Sequence, residues 1–197
     1  MTLAPSSPSP TTTGTRWCTC RPGATVWLTG LPSAGKTTLA LALSAVLREE
    51  GRRVEVLDGD VMRSTLSAGL GFSREDREAN VARIGLMAEV LSRNGVLTLV
   101  PVIAPFAESR AAVRERHDRS ATNFLEVHVA TSVQLCEARD VKGLYAKHKA
   151  GRLTGLTGVD APYEAPARPD LRIETDAHSV EESVVSLRAL LFQRGLA

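Results

Sequence analysis

The stretch Gly30–Thr38, GLPSAGKTT, follows the apolar run Ala24–Leu28 and precedes a segment rich in alanine and leucine. Gly30, Gly35, Lys36 and Thr37 match GxxxxGK[ST], in the strand-then-helix setting that gives the pattern its meaning. Glycines let backbone N–H groups curl around phosphate oxygens without Cβ clashes, and the following helix turns its positive end toward them. The whole loop (Gly30, Leu31, Pro32, Ser33, Ala34, Gly35, Lys36, Thr37 and Thr38) is therefore expected to hold the phosphates of ATP. Lys36 would bridge the β- and γ-phosphates, and Thr37 would place its hydroxyl on Mg²⁺. Leu39, Leu43 and Leu47 would pack the helix on a sheet.

Elsewhere, apolar β-branched runs alternate with segments of helical period, the signature of βαβ units and a parallel sheet. Strands are expected at residues 25–29, 53–57, 96–103, 124–130 and 171–174. Ser73 opens a helix of about five turns whose apolar stripe runs through Val81, Ile84, Met87 or Ala88, and Leu91, with Asn94-Gly95 as its stop. Ser179 and Glu182 form a capping-box pattern before a closing helix. The expected fold is α/β, of the P-loop kinase three-layer type: about five parallel strands with helices on both faces and a lid. That lid is residues 140–169, which carry four glycines, three prolines and several basic residues without a sustained period. A segment of this length with no core of its own reads as a lid over an anion.

Composition narrows the class. With 43% hydrophobic and 23% charged residues, the 197-residue chain reads as one ordinary globular domain, residues 16–197, behind a Ser/Thr/Pro-rich tail at 1–15 expected to be disordered. A net charge of +2 gives no argument for nucleic acid as a partner. The tail lacks a signal-peptide pattern, and the longest apolar stretch is far short of a bilayer span, so no membrane association and a cytoplasmic location are expected. Cys18, Cys20 and Cys136 are expected to be reduced, and the four histidines show no metal-ligand spacing.

The end of the second strand reads LDGD. Ligands of open α/β sheets lie at the carboxyl ends of strands, which puts Asp58 and Asp60 there. Asp58 could hold Mg²⁺ through water while Asp60 orients or deprotonates an attacking hydroxyl. A switch GTPase is disfavoured, because no Asn-Lys-x-Asp segment occurs and no Asp-x-x-Gly follows the second strand.

Six segments, TVWLTGLPSAGKTTLA, VLDGDVMR, LGFSREDREANVARI, FLEVHVAT, CEARDVKGLYAK and GLTGVDAPYEAP, together resemble the adenylylsulfate kinase family in order and spacing, from Ala24 to Asp176. The resemblance implies phosphorylation of the 3′-hydroxyl of adenosine 5′-phosphosulfate (APS) by ATP and Mg²⁺, giving 3′-phosphoadenosine 5′-phosphosulfate (PAPS) in sulfate activation. It implies a homodimer and a functional link to a sulfate adenylyltransferase. It makes Asp60 the base, with Lys36 and Lys142 on the transferring phosphate and Arg139 near the ATP adenine. Arg63, Phe72, Arg77 and Asn80 would hold APS, Phe72 by stacking on its adenine. Ile103, Pro105, Leu144, Leu156, Thr157 and Gly158 complete the implied APS pocket.

Several departures bear on this. Where many members have serine in an Ile-Ser-Pro-Tyr segment, this chain has Ile103-Ala104-Pro105-Phe106, which excludes a phosphoserine intermediate there. Where many have an aromatic before Thr-Gly, it has Leu156, which gives up an aromatic stacking contribution of about 1 kcal/mol. Ala79 and Ala82 also replace a frequent Glu and Arg. The alternatives are a P-loop kinase for another nucleotide or small alcohol, and a nucleotide-binding regulatory module.

Overall fold

All six residues of Ala24–Thr29 are buried, the condition for a central strand of a parallel sheet covered by helices on both faces. The computed structural model describes residues 21–196, so the tail and Cys18 and Cys20 lie outside the described residues. Among them, β1 (Ala24–Thr29), β2 (Val54–Val56), β3 (Leu97–Pro101), β4 (Asn123–Val129) and β5 (Leu171–Ile173) form one sheet in the order β2-β3-β1-β4-β5. Every pairing is parallel. All five strands fall where the sequence places them, trimmed or shifted by a residue or two at their ends.

Seven helices connect them among the described residues: α1 (Lys36–Glu49), α2 (Gly59–Ser64), α3 (Arg74–Arg93), α4 (Ala107–Arg119), α5 (Val133–Arg139), α6 (Leu144–Lys149) and α7 (Val180–Gln193). Alternation along the strands feeds two cores. Val26, Leu28, Leu99 and Val127 meet Leu39, Leu43 and Leu47 of α1 and Leu187 and Leu191 of α7. Trp27, Val100 and Phe124 meet Val81, Ile84 and Ala88 of α3 and Val113 of α4 on the other face. At Gly85 a Cβ would come within 2.6 Å of Val113 Cγ2, so glycine there is what lets α3 and α4 approach.

The helix ends follow local chemistry. Ser73 accepts the N–H of Asp76 at the start of α3, and the Ser179–Glu182 capping box is complete at the start of α7. The 140–169 segment differs from expectation: it is docked on the main core through Tyr145 and Leu156, 3% and 4% exposed. Its turn at 155–161 is tied by Asp160, whose carboxylate accepts the N–H groups of Gly155 and Leu156 at 2.8 and 2.6 Å.

Two histidines are built into the interior. His117 faces the Val113 carbonyl through Nδ1 and Thr25 Oγ1 through Nε2, both at 2.8 Å. A carbonyl only accepts, so Nδ1 carries the proton of a neutral ring and Nε2 accepts from Thr25. Burial pushes His117 below its ordinary value, and burial with the nearby Arg172 and Arg110 takes His128 down to about 4. Both folded values lie below the unfolded one, so this stability is complete above about pH 6.5 and is lost as pH falls toward 4. Urea unfolding from pH 8 to 4 is predicted to lose on the order of 2–3 kcal/mol across that window; a flat profile contradicts the neutral, buried assignment.

Candidate active site

The chain leaves β1 through a loop that sequence and packing shape together. A Cβ on Gly30 would lie 2.5 Å from the Val129 carbonyl of β4, so no side chain fits there. Ser33 and Gly35 take φ of 62° and 98°, curling the backbone before α1 begins at Lys36. Thr131, just past β4, donates to the Ala34 carbonyl at 2.9 Å and fixes the loop from below. Lys36 is 8% exposed and donates to the carbonyls of Gly30 and Leu31 at 2.9 and 2.6 Å. Burial lowers its ammonium to about 8, with the nearby Lys142 adding to the shift and Asp60 and Asp58 opposing it.

Beyond β2, Asp58 does two jobs with one carboxylate. Its Oδ1 accepts the Asp60 N–H at 2.9 Å and caps α2; its Oδ2 accepts the Thr37 hydroxyl at 2.8 Å. Asp60 is thereby set on the first turn of α2, where its carboxylate forms an ion pair with Lys142 from the 140–169 segment.

These groups line a single cavity of about 630 Å³ that runs over residues 32–38 of the loop. One end holds Arg63, Phe72, Arg77 and Asn80, with a wall from Pro101 to Pro105 including Ile103. The Arg63 guanidinium sits 4.6 Å from the centre of the Phe72 ring, which is 68% exposed at the rim. Arg77 reaches across to the 140–169 segment, donating to Thr157 Oγ1 at 2.6 Å and the Gly155 carbonyl at 2.7 Å. Asn80 is 8% exposed and its Oδ1 is buried without a hydrogen-bond partner. A buried acceptor without a donor is costly, and this one sits in a residue of the cavity lining.

The other end is formed by Arg139, Val141, Leu144, Thr175, His178, Ser179 and Val180. Arg139 donates to Thr175 through its side-chain oxygen at 3.0 Å and its carbonyl at 3.1 Å, joining the end of α5 to the turn after β5. The arrangement is a glycine-bearing loop at the start of α1 lining the cavity, with the Asp60 carboxylate paired to Lys142 in the same lining. A family model described as adenylylsulphate kinase matches residues 22–174, which contain nearly all of these groups.

The chain belongs to the adenylylsulphate kinase family. It is 51% identical over 162 residues to a probable adenylyl-sulfate kinase of Synechocystis, covering 82% of this chain and 89% of that protein. An adenylyl-sulfate kinase of Rippkaea orientalis is 49% identical over 173 residues, covering 88% and 93%. Among solved structures, the Mycobacterium tuberculosis APS kinase in complex with AMPPNP and APS superposes with a TM-score of 0.85 at 45% identity, covering 87% of this chain and 99% of that one.

Within this adenylylsulphate kinase fold, three residues expected at the APS pocket do not reach the cavity. Leu156 is in the main core, Thr157 is 2% exposed and holds Arg77, and Gly158 packs against the Leu31 side chain. The Asp160 cap closes the 155–161 turn that carries Leu156, whose side chain packs in the main core. Gly30 and Leu31 likewise stand behind the cavity, giving their carbonyls to Lys36. Conversely, Thr175, His178, Ser179 and Val180 line the cavity without having been expected there. Their signal was topological: they follow the carboxyl end of the fifth strand, where ligands of such sheets bind.

The Lys36 shift makes a prediction. An anion on the loop favours the charged ammonium, so binding above pH 8 requires proton uptake. AMPPNP affinity is predicted to fall by up to about tenfold per pH unit above about pH 8. Calorimetry in buffers of different ionisation enthalpy should register the proton uptake; a pH-independent affinity from 7 to 9.5 contradicts it.

Proposed function

We propose that this cavity transfers the γ-phosphoryl group of ATP to the 3′-hydroxyl of APS, giving PAPS and ADP. The observation that carries the reading is the meeting of Asp60 and Lys142 above the phosphate loop, between the end lined by Arg63, Phe72, Arg77 and Asn80 and the end lined by Arg139 and Thr175. ATP would lie with its phosphates on residues 30–38 and its adenine beside Arg139. APS would take the opposite end, its adenine on Phe72 and its phosphosulfate toward the arginines.

The Thr37 hydroxyl and Asp58 carboxylate fit a phosphate-bound Mg²⁺, since that ion takes one or two protein oxygens and completes its shell with phosphates and water. Thr37 would bind it directly and Asp58 through water, and the ion would supply charge neutralisation on the phosphates.

The chain's own groups divide the remaining work. Asp60 accepts the proton of the 3′-hydroxyl as that oxygen attacks in line. Lys36 and Lys142 stabilise the charge spread over the transferred group, which requires Lys142 to leave Asp60 and turn to the phosphate. Residue 104 is alanine and carries no hydroxyl, so transfer is direct.

The 140–169 segment would act as a lid that excludes water from the phosphates and brings Lys142 to them. Because Leu156 lies in the core, its departure from the usual aromatic gives little reason to seek another acceptor. A substrate of this class, a mixed anhydride of an adenylate and sulfate, has to be made by adenylyl transfer to sulfate, which supports the link to a sulfate adenylyltransferase.

Asp60→Asn tests the mechanism. Turnover is predicted to fall about 10²- to 10⁴-fold, with AMPPNP affinity within about twofold of wild type. Melting temperature should barely move, because an exposed ion pair contributes little to stability. Near-normal turnover removes Asp60 from the role of base.

A further inference from the structure

Arg110 lies on α4, outside the cavity, and is 3% exposed. Its guanidinium is spread over three parts of the molecule. Nε donates to Glu126 Oε1 of β4 at 2.7 Å, Nη1 to the Ala104 carbonyl at 2.7 Å, and Nη2 to the Glu164 carbonyl at 2.6 Å. Ala104 belongs to the cavity wall and Glu164 to the far end of the 140–169 segment.

Ala104 is itself unusual. It is 3% exposed with φ of 43°, a left-handed backbone that is costly for a residue with a Cβ, and Pro105 follows it. Such a conformation persists only where surroundings over-determine it. Around it, Glu164 N–H donates to the Pro105 carbonyl at 2.8 Å, and Glu164 Oε2 accepts the Ala107 N–H at 2.7 Å. The second bond caps α4, whose own N-cap residue, Phe106, provides no side-chain acceptor. Thr29 donates to the Ile103 carbonyl at 2.6 Å and touches the Tyr163 hydroxyl at 3.1 Å.

The wall in turn supports the turn that carries the base. A Cβ at Gly59, between Asp58 and Asp60, would lie 3.3 Å from both the Pro101 carbonyl and Val102 Cγ1. Residues 101 and 102 thus run close enough to Gly59 to leave no room for a side chain, so a shift of that part of the wall bears on the start of α2.

We infer that Arg110 is a positioning residue: by pinning left-handed Ala104 to β4 and to Glu164, it holds the acceptor-side wall, and through Gly59 the Asp60 turn, in register for transfer. This rests on the acceptor assignment above. A buried Arg–Glu pair alone would be weak evidence, since apolar residues can replace such a pair without loss of stability. The two extra donors to backbone carbonyls are what an apolar pair could not supply. Lysine could not supply them either, having one nitrogen where arginine has a planar fork.

The test is Arg110→Lys, alone and combined with Ala104→Gly. R110K keeps a cation facing Glu126 but cannot serve both carbonyls. It is expected to raise the KM for APS at least fivefold and lower kcat about tenfold, with AMPPNP affinity within twofold of wild type. Adding A104G, which takes a positive φ without a Cβ penalty, is expected to restore at least threefold in kcat/KM. Wild-type kinetics in R110K, parallel loss of AMPPNP and APS binding, or no restoration by A104G would overturn the inference.

Should R110K fail to fold, Glu164→Ala keeps Arg110 and the Glu164 carbonyl it holds, and removes the carboxylate that caps α4 at Ala107, loosening the same wall from its other side. It should raise the APS KM two- to fivefold with AMPPNP binding unchanged, and an unaltered KM overturns the inference. Wild-type protein assayed alongside separates the two readings. If it makes no APS-dependent ADP, the acceptor assignment fails and this inference with it; if it turns over and the variants match it, this inference alone fails.

Discussion

The carbonyl of Val129 occupies the space a Gly30 side chain would need, and that contact sets where the phosphate loop begins. With β1 held against β4 at its last residues, the chain after Thr29 has one way out, over the carboxyl edge of the sheet. Thr131 then ties Ala34 down, and Ser33 and Gly35 take the positive φ values that curl the loop. Lys36 is drawn inward onto carbonyls of Gly30 and Leu31. The loop is thus shaped by the sheet before any anion arrives, so binding does not have to meet the entropy of organising it.

Around that loop the cations are matched by the protein's own acceptors. Lys36 has loop carbonyls, Lys142 has Asp60, Arg63 has the Gly71 carbonyl, Arg77 has Gly155 and Thr157, and Arg139 has Thr175. Phosphates and sulfate are stronger partners for the same groups. The proposed reaction cycle is then an exchange of partners, and its critical exchange is at Asp60, which must lose Lys142 before it can take a proton. Asn80 Oδ1 is the complement of this pattern, an acceptor left without a donor.

What could be read from the sequence was what local chemistry dictates. Lys36 and Thr37 at the start of α1, Asp58 and Asp60 at the start of α2, and the Ser73 and Ser179 caps are set largely by local sequence, and the elements they open stand where they were expected. Helix α4 went unmarked because its buried stripe is Arg110, Val113 and His117, two of them polar, so no hydrophobic period shows. The 140–169 segment looked coreless because Tyr145, Leu156 and Tyr163 dock one at a time, from α6 and from the turns after it, rather than along one element. Leu156 was expected at a ligand for the same reason: only the Asp160 cap, a contact across the turn, reveals that it faces the core. The part of the lining after β5 was missed because Thr175, His178 and Val180 share no motif, only a place beyond the end of that strand.

The central claim is a transfer to one hydroxyl of one acceptor, and product analysis addresses it directly. The protein is incubated with ATP and Mg²⁺ in the presence of APS, of adenosine 5′-monophosphate, or of no acceptor, while ADP is followed and the product identified by mass. ADP formation that depends on APS, with a product one phosphate heavier at the ribose, is the predicted result. ADP release no faster with APS than without acceptor, from protein that binds AMPPNP, would contradict the account.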